Sequence, residues 1–250
     1  MGLSSIERYA LESLRKARAA ALSDAEAFPE IFYALERVGT ALTGRIAGLD
    51  AYKPEFENIA AKSPLASGLS ERQRHGHTAF ERLYDIVRTG RNEALHHGAF
   101  ARHLTRHAVE LCLLLEDGLM SQARTVADSM VRDPVCAELW QPLSIVRQQM
   151  LANSFSYLPV LLDDGSFGLI GDLAIARALS RALTSAERRR MLACSLGDAR
   201  ASRRVEIPPA TTVEPEEQVQ VALERCKDGP LLVLGDGKRL LGIVTPFDML

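Results

Sequence analysis

Two groups of residues have the types and spacing to do chemistry. The first is Arg91-Asn92-Glu93-Ala94-Leu95-His96. A histidine that titrates near neutral pH can take a proton from an RNA 2′-hydroxyl. An arginine can stabilise charge developing on a phosphate, and the pair needs no metal. Asn92 and His96 are four apart and share a helix face. Arg91 lies about 140° from His96 around an ideal helix of 3.6 residues per turn. It converges on the same site only if Gly90 breaks the backbone, or if a second protomer brings its own copy across a two-fold axis. All six histidines fall between His75 and His107, and residues 71–107 carry seven arginines against four acidic residues. That is a modest basic patch able to meet phosphates; the same pattern also fits a solvated helix face.

The second group closes the sequence, at Thr245-Pro246-Phe247-Asp248. A strand ending at Thr245 leaves a hydroxyl at its tip, and Asp248 then falls in the first turn of the next segment. A carboxylate there can accept two hydrogen bonds from a ribose diol. Threonine and aspartate at such a place can equally cap backbone donors. Arg203, Arg204 and Arg225 are candidates for bidentate phosphate contact, and Thr212 joins them as a candidate ligand contact.

Composition narrows the classes. The net charge of −2 gives no global field for nucleic acid, so any such binding is local. Cys112, Cys136, Cys194 and Cys226 are far apart and form no CxxC pair, which argues against disulfides or a zinc site and fits a reducing cytoplasm. His75 and His77 alternate without further ligands at useful spacing, so no metal is expected. No apolar run approaches the roughly 18 residues of a membrane span. Met1 to Ser5 lead directly into a charged helical pattern, so no signal peptide is expected.

The elements that must position these residues change character along the chain. Ile6, Ala10, Leu14, Ala17 and Ala21 form one helical stripe, and Ile31, Leu35, Val38 and Leu42 a second that starts near Pro29. Residues 50–76 lose the period, collect Pro54, Pro64, Gly68 and Gly76, and read mostly as loop. Phe80, Leu83 and Val87 begin a third helix that Gly90 ends. A fourth runs from about Asn92 to Met120.

From about residue 124 short strands alternate with short helices, and the order repeats. In the first copy a helix over Pro142 to Leu151 precedes a strand over Tyr157 to Leu162, an Asp-Asp-Gly turn and a strand over Phe167 to Ile170. In the second, a helix over Glu216 to Cys226 precedes a strand from Pro230, a Gly-Asp-Gly turn and a strand over Leu240 to Val244. Residues 178–203 join the copies, with a helix over Ser185 to Leu192.

On these residues the second half resembles the CBS family. Val126-Ala127-Asp128-Ser129-Met130 with Asp133-Pro134-Val135, Tyr157-Leu158-Pro159-Val160 before a DG turn, and above all Gly242-Ile243-Val244-Thr245-Pro246-Phe247-Asp248 carry the likeness. The resemblance implies a tandem pair whose shared cleft binds an adenine nucleotide, AMP, ADP or ATP, as a regulatory ligand. The first copy reads Gly168-Leu169-Ile170-Gly171-Asp172-Leu173-Ala174, with Gly171 and Ala174 in place of Thr245 and Asp248. One competent ribose site is therefore expected, at Asp248. The sequence ends at Leu250, so the helix that comes after this ending in the family is expected to be absent or a stub.

Arg91, Asn92 and His96 match the RNxxxH motif of the HEPN family of small, commonly dimeric helical domains, many of them metal-independent ribonucleases leaving a cyclic phosphate. The expectation is an α plus α/β protein: a HEPN-like helical bundle over 1–122, then a CBS pair over 123–250 with modules at about 123–180 and 197–250. It would be a cytoplasmic nucleotide sensor, a homodimer or dimer of dimers, whose nucleotide state controls a ribonuclease acting on RNA. The alternative is a non-enzymatic nucleotide binder whose helical half serves dimerisation or partner docking.

Overall fold

The computed structural model describes residues 2–24, 27–63, 78–94, 101–227 and 229–249, with only the backbone of 91–94 and 101–103. The chain divides into two compact units, Met1–Arg124 and Thr125–Leu250.

Among the described residues the first unit is helical: α1 (Ser5–Ser23), α2 (Pro29–Thr43), α3 (Leu49–Ala60), α4 (Phe80–Ala94) and α5 (Ala101–Met120). Ser4 and Glu7 cap α1 reciprocally: the Ser4 amide donates to Glu7 Oε2 at 2.9 Å and the Glu7 amide to Ser4 Oγ at 3.2 Å. The apolar stripes face inward as their spacing dictates. Ala10, Leu14, Ala17 and Ala21 join Ile31, Leu35 and Val38 in one core, whereas Ile6 is exposed and Leu3 and Leu11 are buried in its stead. Inside this unit Glu116 of α5 receives Arg18 Nε and Nη2 at 2.7 and 2.8 Å, a bidentate pair that compensates a buried carboxylate.

Two expectations need correction here. Residues 50–60, read as the start of a loop, belong to α3, which begins at Leu49. Leu49, Tyr52, Phe56 and Ile59 are spaced three, four and three apart and are all buried. Pro54 hid that period: proline removes one helical hydrogen bond and crowds the preceding turn, but the buried face holds the helix. The Tyr52 hydroxyl donates to Arg45 O at 3.0 Å and accepts from the Ala47 amide at 2.6 Å, and the Tyr84 hydroxyl donates to Leu49 O at 2.7 Å.

The second correction concerns Gly90, which does not end its helix. α4 runs through it to Ala94, and the next described helix starts at Ala101 rather than near Asn92. Gly90 is where α4 meets α5, because a Cβ there would lie 2.5 Å from Leu104 Cδ1. The glycine signals close packing rather than a cap.

The second unit contains α6 (Val126–Ser129), β1 (Val131–Arg132), α7 (Leu143–Asn153), β2 (Tyr157–Leu161), β3 (Phe167–Gly171), α8 (Asp172–Ser180), α9 (Ser185–Ala193), α10 (Leu196–Ala201), β4 (Thr212–Val213), α11 (Val219–Arg225), β5 (Leu231–Leu234) and β6 (Leu240–Val244). Two hairpins anchor it: β2 pairs antiparallel with β3, from Tyr157↔Gly171 to Leu161↔Phe167, and β5 with β6, from Leu231↔Val244 to Leu234↔Leu240. β4 adds to β5 in parallel.

The lead-in segments of the two copies are exchanged. β1 precedes the first hairpin in sequence but pairs with β6 of the second, Val131 opposite Ile243 and Arg132 opposite Gly242. Reciprocally, the segment before the second hairpin lies on β3 of the first: Gly168 bridges Pro209, and the Leu169 amide donates to Pro208 O at 3.0 Å. Gly168 and Gly242 stand at the crossings. A Cβ on Gly168 would lie 2.6 Å from Ile207 Cγ2, and one on Gly242 would lie 2.8 Å from Val131 O.

The cores obey the exchange. Val126 and Met130 are buried with Leu231, Val233 and Val244, while Leu196, Ala199, Val205 and Ile207 are buried with Val146, Leu158 and Ile170. The 178–203 stretch, read from sequence as a connector, therefore supplies α10 to the first core. Thr125–Gln218 and Pro142–Ser195 bridges complete the same reciprocal arrangement.

Candidate functional site: an arginine-lined cleft in the second unit

The exchange places the end of one hairpin against the lead-in of the other, and a cleft of about 430 Å³ opens there. One wall is the end of β3 and the start of α8. Gly171 caps α8 with extended backbone, the Asp172 amide donates to Ser156 O at 2.9 Å, and Ala174 faces the same space. Arg177, in the last turn of α8, and Arg181, just beyond it, continue this wall four residues apart on one helix face.

A second part of the lining comes from residues 203–211, with Arg203, Arg204, Glu206 and Thr211. Its shape is set by the end of α10. The Arg203 amide donates to Arg200 O and the Arg204 amide to Ala199 O, both at 2.9 Å. That is the two-bond Schellman closure, whose C′ position adopts left-handed backbone and is usually glycine. Here it is Arg203, at φ 54°. Tyr157, Gly229 and Pro230 lie at the remaining side.

Of the residues singled out in the sequence, Arg203, Arg204 and Arg225 come together in this cleft. Arg225 is already engaged: Nη1 lies 3.0 and 2.9 Å from the two Glu217 carboxylate oxygens, and Nη2 donates to Thr212 O at 2.5 Å. Thr212, on β4, does not line the cleft; it lines a neighbouring cavity of about 590 Å³ with Glu217, Arg225 and Lys238. Arg177 and Arg181 were missed by sequence reasoning. Their signal was available as two arginines four apart directly after the first hairpin.

Thr245 and Asp248 are not among the residues lining this cleft. Asp248, in a 3₁₀ turn over Pro246–Met249, accepts from the Thr245 amide at 2.8 Å and from Thr245 Oγ1 at 2.7 Å, through Oδ2 in both bonds. Asp128 treats Thr125 in the same way at 3.1 and 3.0 Å at the start of α6. Asp248 thus makes the bonds of a cap through Oδ2. It also stands beside Cys226, whose thiol is pushed up by burial first and by the Asp248 charge second. The expectation placed the cleft chemistry at the second ending; the arginine-lined cleft lies at the first, because the lead-in that carries Arg203 and Arg204 crosses onto β3.

In the first unit, Arg91 and Asn92 occupy the last turn of α4, and their side chains lie outside the described residues, as does all of His96. His75, His77 and His97 also fall outside them. His107, on α5, places Nδ1 3.9 Å from Glu110 Oε2, and Glu110 Oε1 accepts from the Thr78 amide at 2.9 Å. Among the described residues no group of three His, Cys, Asp or Glu side chains could hold a metal ion. No helix among them is long and apolar enough to cross a membrane.

No protein-family model matches the chain, and no curated protein matches it. Solved structures do. The neighbours are CBS-domain proteins. A CBS domain-containing protein from Bacillus anthracis is 19% identical, with TM-score 0.40, over 50% of this chain and 88% of its own. CBSX2 in complex with AMP is 18% identical, with TM-score 0.38, over 50% of this chain and 92% of its own. CbpB in complex with c-di-AMP is 16% identical, with TM-score 0.39, over 50% and 81%. At such identities the ligands of the neighbours are facts about the neighbours.

Proposed function

We propose that residues 125–250 form a CBS pair that binds an adenine nucleotide in the arginine-lined cleft, and that this chain is a nucleotide-sensing regulatory protein. The observation that carries the reading is the junction itself. Two copies of a helix–hairpin unit exchange their lead-in segments, and the crevice this creates is lined by Arg177, Arg181, Arg203, Arg204 and Arg225. Guanidinium groups hold phosphates through paired N–H bonds, so the phosphate end of a nucleotide sits against them. Titration calorimetry of the full chain with AMP, ADP and ATP tests this. Saturable heat that falls at least tenfold in affinity in Arg204→Ala is the expected result; no heat with any of the three removes the reading.

The helical unit is the output in this reading. Arg91, Asn92 and His96 form a metal-independent ribonuclease site of HEPN type, completed across a dimer axis, and nucleotide occupancy shifts the assembly that brings the copies together. Such gating requires the nucleotide to bind two states with different affinity. RNA incubated with the protein in the presence of a metal chelator yields fragments with 2′,3′-cyclic phosphate ends, and Arg91→Ala and His96→Ala abolish them. If no cleavage occurs, or if both variants still cleave, the nuclease output is lost.

One observation favours a second reading, in which the helical unit dimerises or docks a partner without catalysis. α4 passes unbroken through Gly90, which removes one of the two ways to bring Arg91 to the site of His96 and makes catalysis depend wholly on a second protomer. Light scattering of the full chain separates the readings further, since a monomer is incompatible with a site shared between protomers.

A further inference from the structure

We infer that the cleft is a receptor for a chain of two or more linked phosphates, and that it reads this polyphosphate by charge while leaving the sugar diol unread. The inference rests on the proposal that the cleft binds a nucleotide, and it specifies which part of that ligand is recognised.

The first support is the supply of guanidinium groups. The lining holds five arginines against two carboxylates, Asp172 and Glu206. Arg225 is occupied by Glu217 and Thr212. Among the described residues no ion-pair or hydrogen-bond partner is seen for the side chains of Arg177, Arg181, Arg203 or Arg204. These four come as two pairs from separate segments, one at the end of α8 and one just after α10. One bidentate guanidinium, or two, saturates a single phosphate. Two pairs from separate segments lining one cleft match two phosphates in a row.

The second support is backbone strain. A β-carbon in left-handed backbone crowds the carbonyl oxygen that comes after it, which is why glycine dominates the C′ position. Arg203 holds φ 54° there. Nothing in the helix closure needs an arginine, since both closing bonds come from backbone amides. An arginine kept at a strained position on the wall of a cleft points to a ligand for its side chain.

The third support is what the wall lacks. β3 ends at Gly171, and Ala174 stands where the second copy has Asp248. Both residues line the cleft, so the hydroxyl and carboxylate of the second ending have no counterpart at these two positions.

Calorimetry of the full chain with ATP, 2′,3′-dideoxy-ATP, AMP and inorganic tripolyphosphate tests the inference. ATP is expected to bind at least tenfold tighter than AMP, and dideoxy-ATP within threefold of ATP. Tripolyphosphate is expected to displace ATP. Arg203→Gly is expected to weaken ATP at least tenfold while the thermal midpoint stays level or rises; Arg204→Gln provides the same loss without touching the backbone. Equal affinity for AMP and ATP, or a tenfold loss with dideoxy-ATP, overturns this inference and leaves nucleotide binding standing. Tripolyphosphate binding with no nucleotide binding overturns the nucleotide reading and keeps the polyphosphate site. No binding by any of the four overturns both.

Discussion

The two hairpins of the second unit have the same construction and opposite chemistry at their ends. Each second strand carries a glycine where the other copy's lead-in crosses, Gly168 in one and Gly242 in the other. Beyond that glycine the copies part. The second ends in Thr245 and Asp248, whose polar groups satisfy each other and the local backbone. The first has Gly171 and Ala174 at the matching positions, with Asp172 and Leu173 between them on the cleft lining, and then presents Arg177 and Arg181. A duplicated unit can therefore keep its packing constraints in both copies while one ending bonds its own backbone and the other lines an arginine-rich cleft.

The crossings carry the largest expected effect. A Cβ on Gly242 meets backbone, Val131 O at 2.8 Å, as well as Met130 Sδ at 2.8 Å, whereas on Gly168 the nearest atom is a side-chain methyl, Ile207 Cγ2 at 2.6 Å, with Pro208 O at 3.1 Å. Backbone gives way less easily than a methyl. Gly242→Ala is expected to cost about 2–3 kcal/mol and Gly168→Ala about 1–2 kcal/mol, within the range for overpacking a tight interior. Denaturant unfolding of the full chain measures both. The reverse order would show that the two crossings are not equivalent in the way described.

The endings come next. If Asp248 serves the fold, Asp248→Ala lowers stability by about 1 kcal/mol, the usual cost of a lost cap, and ATP affinity moves less than twofold. If the arginines serve the ligand, Arg204→Gln changes ATP affinity about tenfold, or about 1.4 kcal/mol, with no change in the unfolding midpoint. Each variant is thus silent in the assay that reports the other. A large loss of ATP binding in Asp248→Ala would return the ribose role to the second ending.

How far these differences could be read in advance depends on what kind of signal each residue leaves. Hairpins were legible because alternating apolar runs around acidic-glycine turns have one local solution: β2, β3, β5 and β6 fall within a residue or so of their expected bounds. The stripes of α1 and α2 were legible from their three-and-four spacing, apart from Ile6, which is exposed. α3 was not, since a single Pro54 outweighed a correct three-four-three spacing. Gly90 was read as punctuation when its cause is the Leu104 side chain, a residue on another helix. The cleft was half legible. Arg203, Arg204 and Arg225 were picked by type, but nothing local says that residues 205–210 cross onto β3. Without that crossing, nothing in the sequence brings Arg177 and Arg181 into one cleft with Arg203 and Arg204. Long-range strand exchange is the information a single sequence withholds.

The smallest expected effect lies in the turns, and it separates two ways of closing a hairpin. The second hairpin turns through positive φ at Gly237 and Lys238, 65° and 62°. The first adds a side-chain device: Asp164 Oδ1 accepts from the Ser166 hydroxyl at 2.6 Å and from the Ser166 amide at 2.9 Å. These bonds, the hydroxyl first and the amide second, hold the Asp164 carboxyl below the ordinary aspartate range. A carboxyl depressed in the folded state supports the fold above its unfolded pKa of about 3.9. That support is lost as the pH falls through the lower folded value. Asp164 is fully exposed, so the effect is confined to the turn and is read there rather than in global stability. Carboxyl NMR titration is expected to give Asp164 a midpoint below that of a free aspartate, moving back toward it in Ser166→Ala. A midpoint at or above the free value in the unaltered protein would mean that glycine backbone alone closes both hairpins, and the copies would then differ only at their endings.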